Sequence, residues 1–251
     1  VIDMPTRFVD FMRVLVPMAG DDTTPEGEQV NIYGNHVGSW NFAATAYLNR
    51  WKVKIYYEHY FDDHSQMFFQ YGRWKDGHIG LEITFPKNRF IDTFVYEGLG
   101  TKDQTGPMLY DSFWGEFEEQ ISAKDNYYNH YLYQGWQHWG MGIGNPLLPG
   151  PIYNKNGQIT FISNRVLAHH IGFCGSPCQS LSYRVLLSYS RHWGTYDNPL
   201  NEIKKQFNSL FEVTYAPQQL KGWSFTVSGA MDRGSILGNN YGGMLVIRKQ
   251  G

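Results

Sequence analysis

The chain of 251 residues has little charge, almost no cysteine and no long apolar run. Charged residues make up 18%, with 21 Lys and Arg against 23 Asp and Glu, and no basic run occurs. This composition argues against a protein that binds nucleic acid by following its phosphates. The lack of any stretch of 18 apolar residues argues against a membrane-spanning helix.

The only two cysteines are Cys174 and Cys178, in the sequence Cys-Gly-Ser-Pro-Cys. They have no second cysteine pair and no histidine at ligand spacing, so they do not predict a zinc site. Their spacing is one residue too long for a Cys-x-x-Cys redox motif. Two alternatives stay open, a disulfide across a tight turn in an oxidising compartment or two free thiols.

Aromatic residues are abundant, at 17%, and apolar and polar residues alternate along much of the chain. From 39 to 48, for example, Trp40, Phe42 and Leu48 alternate with polar residues such as Asn41 and Thr45. Such alternation predicts a strand with one apolar face. The predicted strands lie at 8–18, 39–48, 51–60, 78–85, 90–97, 158–173, 182–190, 207–215, 223–232 and 241–250. We therefore expect an all-β protein of about ten strands, forming a single domain over residues 1–251.

The connections between these strands alternate in length. Short ones are predicted at 49–50, 86–89, 174–179 and 217–222, and long ones at 19–37, 61–77, 99–157, 194–205 and 234–240. Short periplasmic turns and long extracellular loops are typical of an outer-membrane barrel. The predicted fold is therefore an antiparallel transmembrane β-barrel in a bacterial outer membrane. The alternative is a soluble sheet protein whose aromatic residues form an ordinary core.

Charged residues fall on the polar sides of the predicted strands, which would face the lumen. We expect them to form a charge network there, with a selectivity-setting pore lining as the alternative; they are Lys52, Lys54, Glu58, Glu82, Arg184, Glu212 and Asp232. The neighbouring His169 and His170 must point to opposite faces of a strand, so they cannot share a metal ion. The sequence therefore predicts neither a metal site nor a cofactor.

The segment 99–157 is much longer than a turn requires, and long loops of this kind are often functional. It combines aromatic rings, which can stack on sugar faces, with amide, imidazole and carboxylate groups, which can bind hydroxyls. The candidate carbohydrate-binding residues are Gln104, Tyr128, Asn129, His130, Trp136 and Trp139. The alternative is that these aromatic residues form the loop's own small core.

Several stretches resemble the capsule-assembly Wzi family of outer-membrane β-barrels, in the form found in Bacteroidota. The resemblance extends over most of the chain and is carried by Pro25–Val30, Gly34–Trp40, Tyr96–Gly98, Thr101–Pro107, Tyr127–Tyr131, Gly135–Trp136, Gly142–Leu148, Asn164–Val166, Gly194–Tyr196 and Leu245–Lys249. It implies that the chain is the C-terminal portion of a larger barrel, preceded by a signal peptide and an N-terminal half.

The resemblance also implies a function, which is to bind capsular polysaccharide at the cell surface without enzymatic activity. The expected partners are outer-membrane lipid, surface polysaccharide and other outer-membrane proteins. A porin or transporter is one alternative, and a structural subunit of an outer-membrane complex is another. Catalysis is not predicted, because the adjacent Glu118 and Glu119 do not define a glycosidase pair and no Gly-x-Ser-x-Gly elbow occurs.

Overall fold

A computed structural model describes residues 6–16, 18, 20–23, 37–62, 76–88, 90–103, 137–138, 141–142, 147–148, 150, 161–196 and 198–250. Its elements are α1 (Phe8–Leu15), β1 (Val37–Leu48), β2 (Trp51–Asp62), β3 (Gly77–Thr84), β4 (Thr93–Gly100), β5 (Gln137–His138), β6 (Met141–Gly142), β7 (Val166–Cys178), β8 (Leu181–Gly194), β9 (Pro199–Tyr215), β10 (Trp223–Gly234) and β11 (Asn240–Lys249).

Nine of the strands form one antiparallel sheet in the order β1-β2-β3-β4-β7-β8-β9-β10-β11, and β5 pairs only with β6. Each strand of the sheet lies next to its neighbour along the chain, so the sheet is an up-and-down meander. Among the described residues, β1 and β11 are its two edges. The protein is therefore all-β in its main architecture, as the alternation predicted.

The strand register sorts the side chains into two faces, because neighbouring residues of a strand point to opposite sides. What we call the apolar face carries Trp40, Phe42, Ile55, Ile79, Leu81, Phe94, Ile171, Val185, Phe211, Val227 and Leu245. What we call the polar face carries Asn41, Lys54, Glu58, Glu82, Glu97, His170, Ser188, Asn208 and Asp232.

The apolar face is largely exposed. Phe42 is 54% exposed, Phe211 is 55%, Val227 is 60% and Leu245 is 65%. A water-soluble protein rarely leaves so continuous an apolar surface uncovered. On the polar face, charged side chains of the central strands such as Lys54, Glu58 and Glu97 are half-buried.

Short and long connections do not alternate as strictly as predicted. One end of the sheet, the turn end, has the connections 49–50, 85–92, 179–180 and 216–222, and the other, the loop end, has 63–76, 101–165, 195–198 and 235–239. The connection predicted at 194–205 spans only 195–198, because β8 extends to Gly194 and β9 begins at Pro199. The one predicted at 234–240 is found at 235–239, no longer than 85–92 or 216–222 at the turn end. The residues that begin β9 are mostly polar, so backbone pairing rather than alternation defines them. The 49–50 turn and the long connection after β4 do lie at opposite ends.

The segment predicted as a strand at 8–18 is instead the helix α1, so the sheet has nine described strands rather than about ten. Its polar residues Arg7, Asp10 and Arg13 recur with a helical spacing, and Asp10 accepts hydrogen bonds from Arg7. These bonds lower the pKa of the Asp10 carboxyl. Within the described residues, no helix is long and apolar enough to cross a membrane.

Candidate functional site

A connected group of polar side chains crosses the polar face from β1 to β4. Glu97 on β4 accepts a short hydrogen bond from the Tyr56 hydroxyl and lies 3.5 Å from Nε2 of His78. Nδ1 of the same histidine lies 3.9 Å from Glu58, which accepts a 2.6 Å hydrogen bond from Ser39. Four strands are thus joined by side chains as well as by their backbone hydrogen bonds.

The absence of a side chain at Gly80 allows this group to form. Tyr56 and Gly80 are cross-strand partners, and Gly80 is in turn the partner of Glu97 on the next strand. The Tyr56 ring lies over Gly80, and its hydroxyl thereby reaches Glu97 two strands away. A Cβ atom at position 80 would overlap the ring.

Replacing Gly80 with alanine is therefore expected to destabilise the protein. The Tyr56 ring must move, and its hydrogen bond to half-buried Glu97, a bond to a charged group, is worth about 1.5–3 kcal/mol. Urea unfolding of the variant and of the unchanged protein measures the change. The matched control is Gly229→Ala on β10, where an added Cβ meets no atom within 4 Å. Equal stability of the two variants would contradict this role of Gly80.

The seven charged residues predicted to form one network all lie on the polar face, but in separate groups. Lys52 lies 3.4 Å from Glu82, and the Lys54 ammonium lies 5.2 Å from the Tyr56 ring centroid. Glu58 belongs to the group described above. Arg184 lies 3.2 Å from Glu212 on β9.

The remaining predicted residue, Asp232, accepts a 2.7 Å hydrogen bond from Asn208. The central members Tyr56, His78 and Glu97 are absent from the predicted set. Tyr56 alternates on β2 in step with Lys54 and Glu58, and His78 on β3 in step with Glu82, so strand alternation is the signal that could identify these two. Glu97 is placed on the same face by the register of β4 with β3. The structure therefore divides the predicted charge network and adds a centre to it.

At the loop end, the polar face is covered by residues within the long connection between β4 and β7, which we call the cover. Leu148 and Phe161 pack with Tyr60, Leu99, Val166 and Ala168, and Leu147 packs against this cluster. The six residues of this cluster, without the partly buried Leu147, are the buried apolar residues of the described chain. The small core thus lies on the polar side of the sheet, at one end.

Hydrogen bonds hold this cover in place. The Thr101 hydroxyl donates to the Asn164 carbonyl at 2.7 Å and accepts from the Val166 amide at 3.0 Å. Ser163 accepts a 3.1 Å hydrogen bond from the Gly194 amide. Beside it, the Tyr196 hydroxyl donates to the Asp103 carbonyl, and burial raises the pKa of that hydroxyl.

The two cysteines are free thiols, the second of the two alternatives. Both lie on β7, which continues to Cys178 instead of turning at 174. Their cross-strand partners Arg184 and Leu181 are three residues apart. The two cysteines are therefore separated by about 10 Å along the strand, beyond the reach of a disulfide.

His169 and His170 have different hydrogen-bond partners, as residues on opposite faces must. His169 lies 2.8 Å from the Tyr96 hydroxyl, and His170 lies 2.6 Å from the Ser188 hydroxyl. No group of three or more His, Cys, Asp or Glu side chains that could hold a metal ion occurs in the described part of the chain.

The candidate carbohydrate-binding residues lie outside the described residues; they are Gln104, Tyr128, Asn129, His130, Trp136 and Trp139. Within this connection the structure describes the paired strands β5 and β6, where Gln137 is the partner of Gly142 and His138 that of Met141. The carbohydrate assignment therefore stays a prediction. Comparison with protein-family models, curated proteins and solved structures finds no match for this chain.

Proposed function

We propose that this chain forms part of the wall of an outer-membrane β-barrel that binds surface polysaccharide through the segment 99–157. The observation that carries the proposal is the exposed apolar face of the nine-stranded sheet. A bilayer is the surrounding that stabilises such a face, since it replaces water around the exposed apolar side chains.

The distribution of polar groups supports the same proposal. The ion pairs within the sheet lie on the polar face, which would line the barrel interior. In hydrocarbon an unpaired backbone amide costs several kcal/mol, so a membrane-inserted sheet needs partners at both edges. The described edges β1 and β11 would therefore pair with further strands or with each other.

Strand direction determines which closure is possible. In an antiparallel meander of nine strands, the first and the ninth run in the same direction. Direct pairing of β1 with β11 would be parallel, unlike every other pair of the sheet. A fully antiparallel barrel therefore needs an odd number of additional strands, and this favours a larger barrel.

The cover at the loop end bears on the choice between a binding protein and a pore. Leu147, Leu148 and Phe161 lie against the polar face where the lumen of a barrel would open. An apolar cover at this position favours a closed lumen over an open porin channel. The polysaccharide part of the proposal is supported by the aromatic and amide composition of 99–157 and by the resemblance to the Wzi family.

Replacing two of the tryptophans of this segment, Trp136→Ala with Trp139→Ala, is expected to weaken binding to capsular polysaccharide by about tenfold or more. Buried tryptophans at a binding surface commonly contribute 2 kcal/mol or more, about 30-fold in affinity. Binding of the purified full-length protein to an array of bacterial capsular polysaccharides measures the effect. The control is Tyr47→Ala, which removes an exposed aromatic ring next to the 49–50 turn at the opposite end.

The fold of both variants is checked by heat-modifiable migration in gels before binding is measured. Unchanged binding by the folded double variant would contradict the assignment of 99–157. Equal losses in the double variant and in Tyr47→Ala would contradict it as well.

A further inference from the structure

The apolar face has very few charges, and all of them are basic. Among the described residues that have a cross-strand partner, the Asp, Glu, Lys and Arg side chains on this face are Arg191, Lys205, Arg233 and Lys249. The first three lie on the neighbouring strands β8, β9 and β10 at the loop end. We call Arg191, Lys205 and Arg233 the basic cluster.

The members of the basic cluster are close enough to repel one another. Arg191 and Lys205 are direct cross-strand partners, with Cβ atoms about 5 Å apart. Arg233 is the partner of Phe207, two residues along from Lys205 on the same face. Like charges placed directly opposite each other in a sheet destabilise it.

No carboxylate of the described chain neutralises these charges. The ion pairs within 4.0 Å among the described residues involve other cations. Nε of Arg191 is buried and has no hydrogen-bond partner. The Arg191 guanidinium instead lies 5.0 Å from the ring centroid of Trp193, which holds it at the surface of the sheet. Three neighbouring cations with no counter-charge among the residues that the structure describes are suited to bind an anion.

The surroundings indicate which kind of anion fits. Toward the middle of the sheet, β9 continues on the same face with Phe207, Ser209, whose hydroxyl donates to the Met231 carbonyl, and Phe211, which is 55% exposed. Gly229 and Gly243 are cross-strand partners on that face, and a Cβ at Gly229 would meet nothing within 4 Å. A shallow apolar groove therefore lies on the turn-end side of the cluster.

We propose that the basic cluster binds the phosphate of an anionic membrane lipid, whose acyl chain lies along Phe211 and the Gly229–Gly243 groove. Arginine and lysine bind phosphate oxygens through charge-assisted hydrogen bonds, and arginine can do so with two parallel bonds. A bound phosphate would relieve the repulsion between Arg191 and Lys205. This proposal rests on the proposed membrane location of the apolar face.

The test uses the full-length protein in nanodiscs of phosphatidylcholine with a minor fraction of phosphatidylglycerol. Native mass spectrometry of the released protein counts the lipids that stay bound. The triple variant Arg191→Gln, Lys205→Gln, Arg233→Gln is expected to retain at least about tenfold less phosphatidylglycerol, since several charge-assisted hydrogen bonds are lost. The charge-matched control removes three basic side chains elsewhere, with Lys204→Gln, Arg248→Gln and Lys249→Gln.

A second pair of variants covers the case in which the triple variant does not fold. Lys205→Glu is expected to release the lipid, whereas Lys204→Glu, one residue away on the opposite face, is expected to retain it. Retention by the folded triple variant or by Lys205→Glu would overturn the proposal. Equal loss in the charge-matched control would also overturn it, because net charge alone would then explain binding.

Two further results separate this proposal from others. If glycerol 1-phosphate displaces the lipid at equal concentration, the acyl chain does not contribute and the lipid assignment is overturned. If the wild-type protein does not enter nanodiscs at all, both the proposed barrel and the proposed lipid site are overturned. Stable insertion without selective retention of phosphatidylglycerol would overturn the lipid site alone.

Discussion

Replacing Val227 with lysine is expected to lower the free energy of unfolding from a bilayer by about 2–4 kcal/mol, the cost of a cationic side chain near the middle of the proposed lipid-facing barrel wall. Val227 lies in the middle of β10 on the apolar face and is 60% exposed. In water, the same exposed substitution would change stability by about 0.5 kcal/mol or less. Urea titration of the protein in vesicles measures the difference.

The matched control is Ala230→Lys on the same strand. Ala230 is also exposed but lies on the polar face, because it is three residues from Val227. We expect it to tolerate lysine much better, since its environment would be the aqueous interior. If the two lysine variants have equal unfolding midpoints, the apolar face does not lie in hydrocarbon.

Proline substitutions on the edge strand β1 test whether further strands pair with it. Ala43 and Ala44 are consecutive, and their amide groups point to opposite sides of the strand, one toward β2 and one away from it. A proline at a paired amide removes a hydrogen bond of the ladder and is essentially excluded from the middle of a sheet, whereas an edge strand tolerates proline at its outward amide. If an additional strand pairs with β1, both Ala43→Pro and Ala44→Pro are expected to prevent assembly.

Resistance to trypsin in isolated outer membranes reports assembly of the two variants. The consecutive Gly242 and Gly243 provide the same comparison on β11, the other edge. A free edge would give a clear asymmetry within each pair, with one proline tolerated and the other not. Such an asymmetry on both edges would contradict a closed barrel, whether or not the apolar face lies in lipid.

The architecture was predictable where it depends on neighbouring residues along the chain. Alternation such as Trp40-Asn41-Phe42 identified strands and their apolar sides, because the period of two is a local property. The same reasoning failed for 8–18, where a short apolar segment is compatible with the strand period of two and with the helical period of 3.6. The chain forms α1 there. It also missed the beginning of β9 near Pro199, where polar residues pair through their backbone and leave no alternation.

The sequence by itself determined which side of each strand is apolar, and it identified Lys52, Glu82, Arg184 and Glu212 as polar-face residues. Only the tertiary structure decided which of these side chains meet. Tyr56 reaches Glu97 because a glycine on the intervening strand leaves space for its ring, and Arg191 faces Lys205 because of the register of β8 with β9. Register brings together residues that are distant in sequence, so no pattern within a single strand can reveal such contacts.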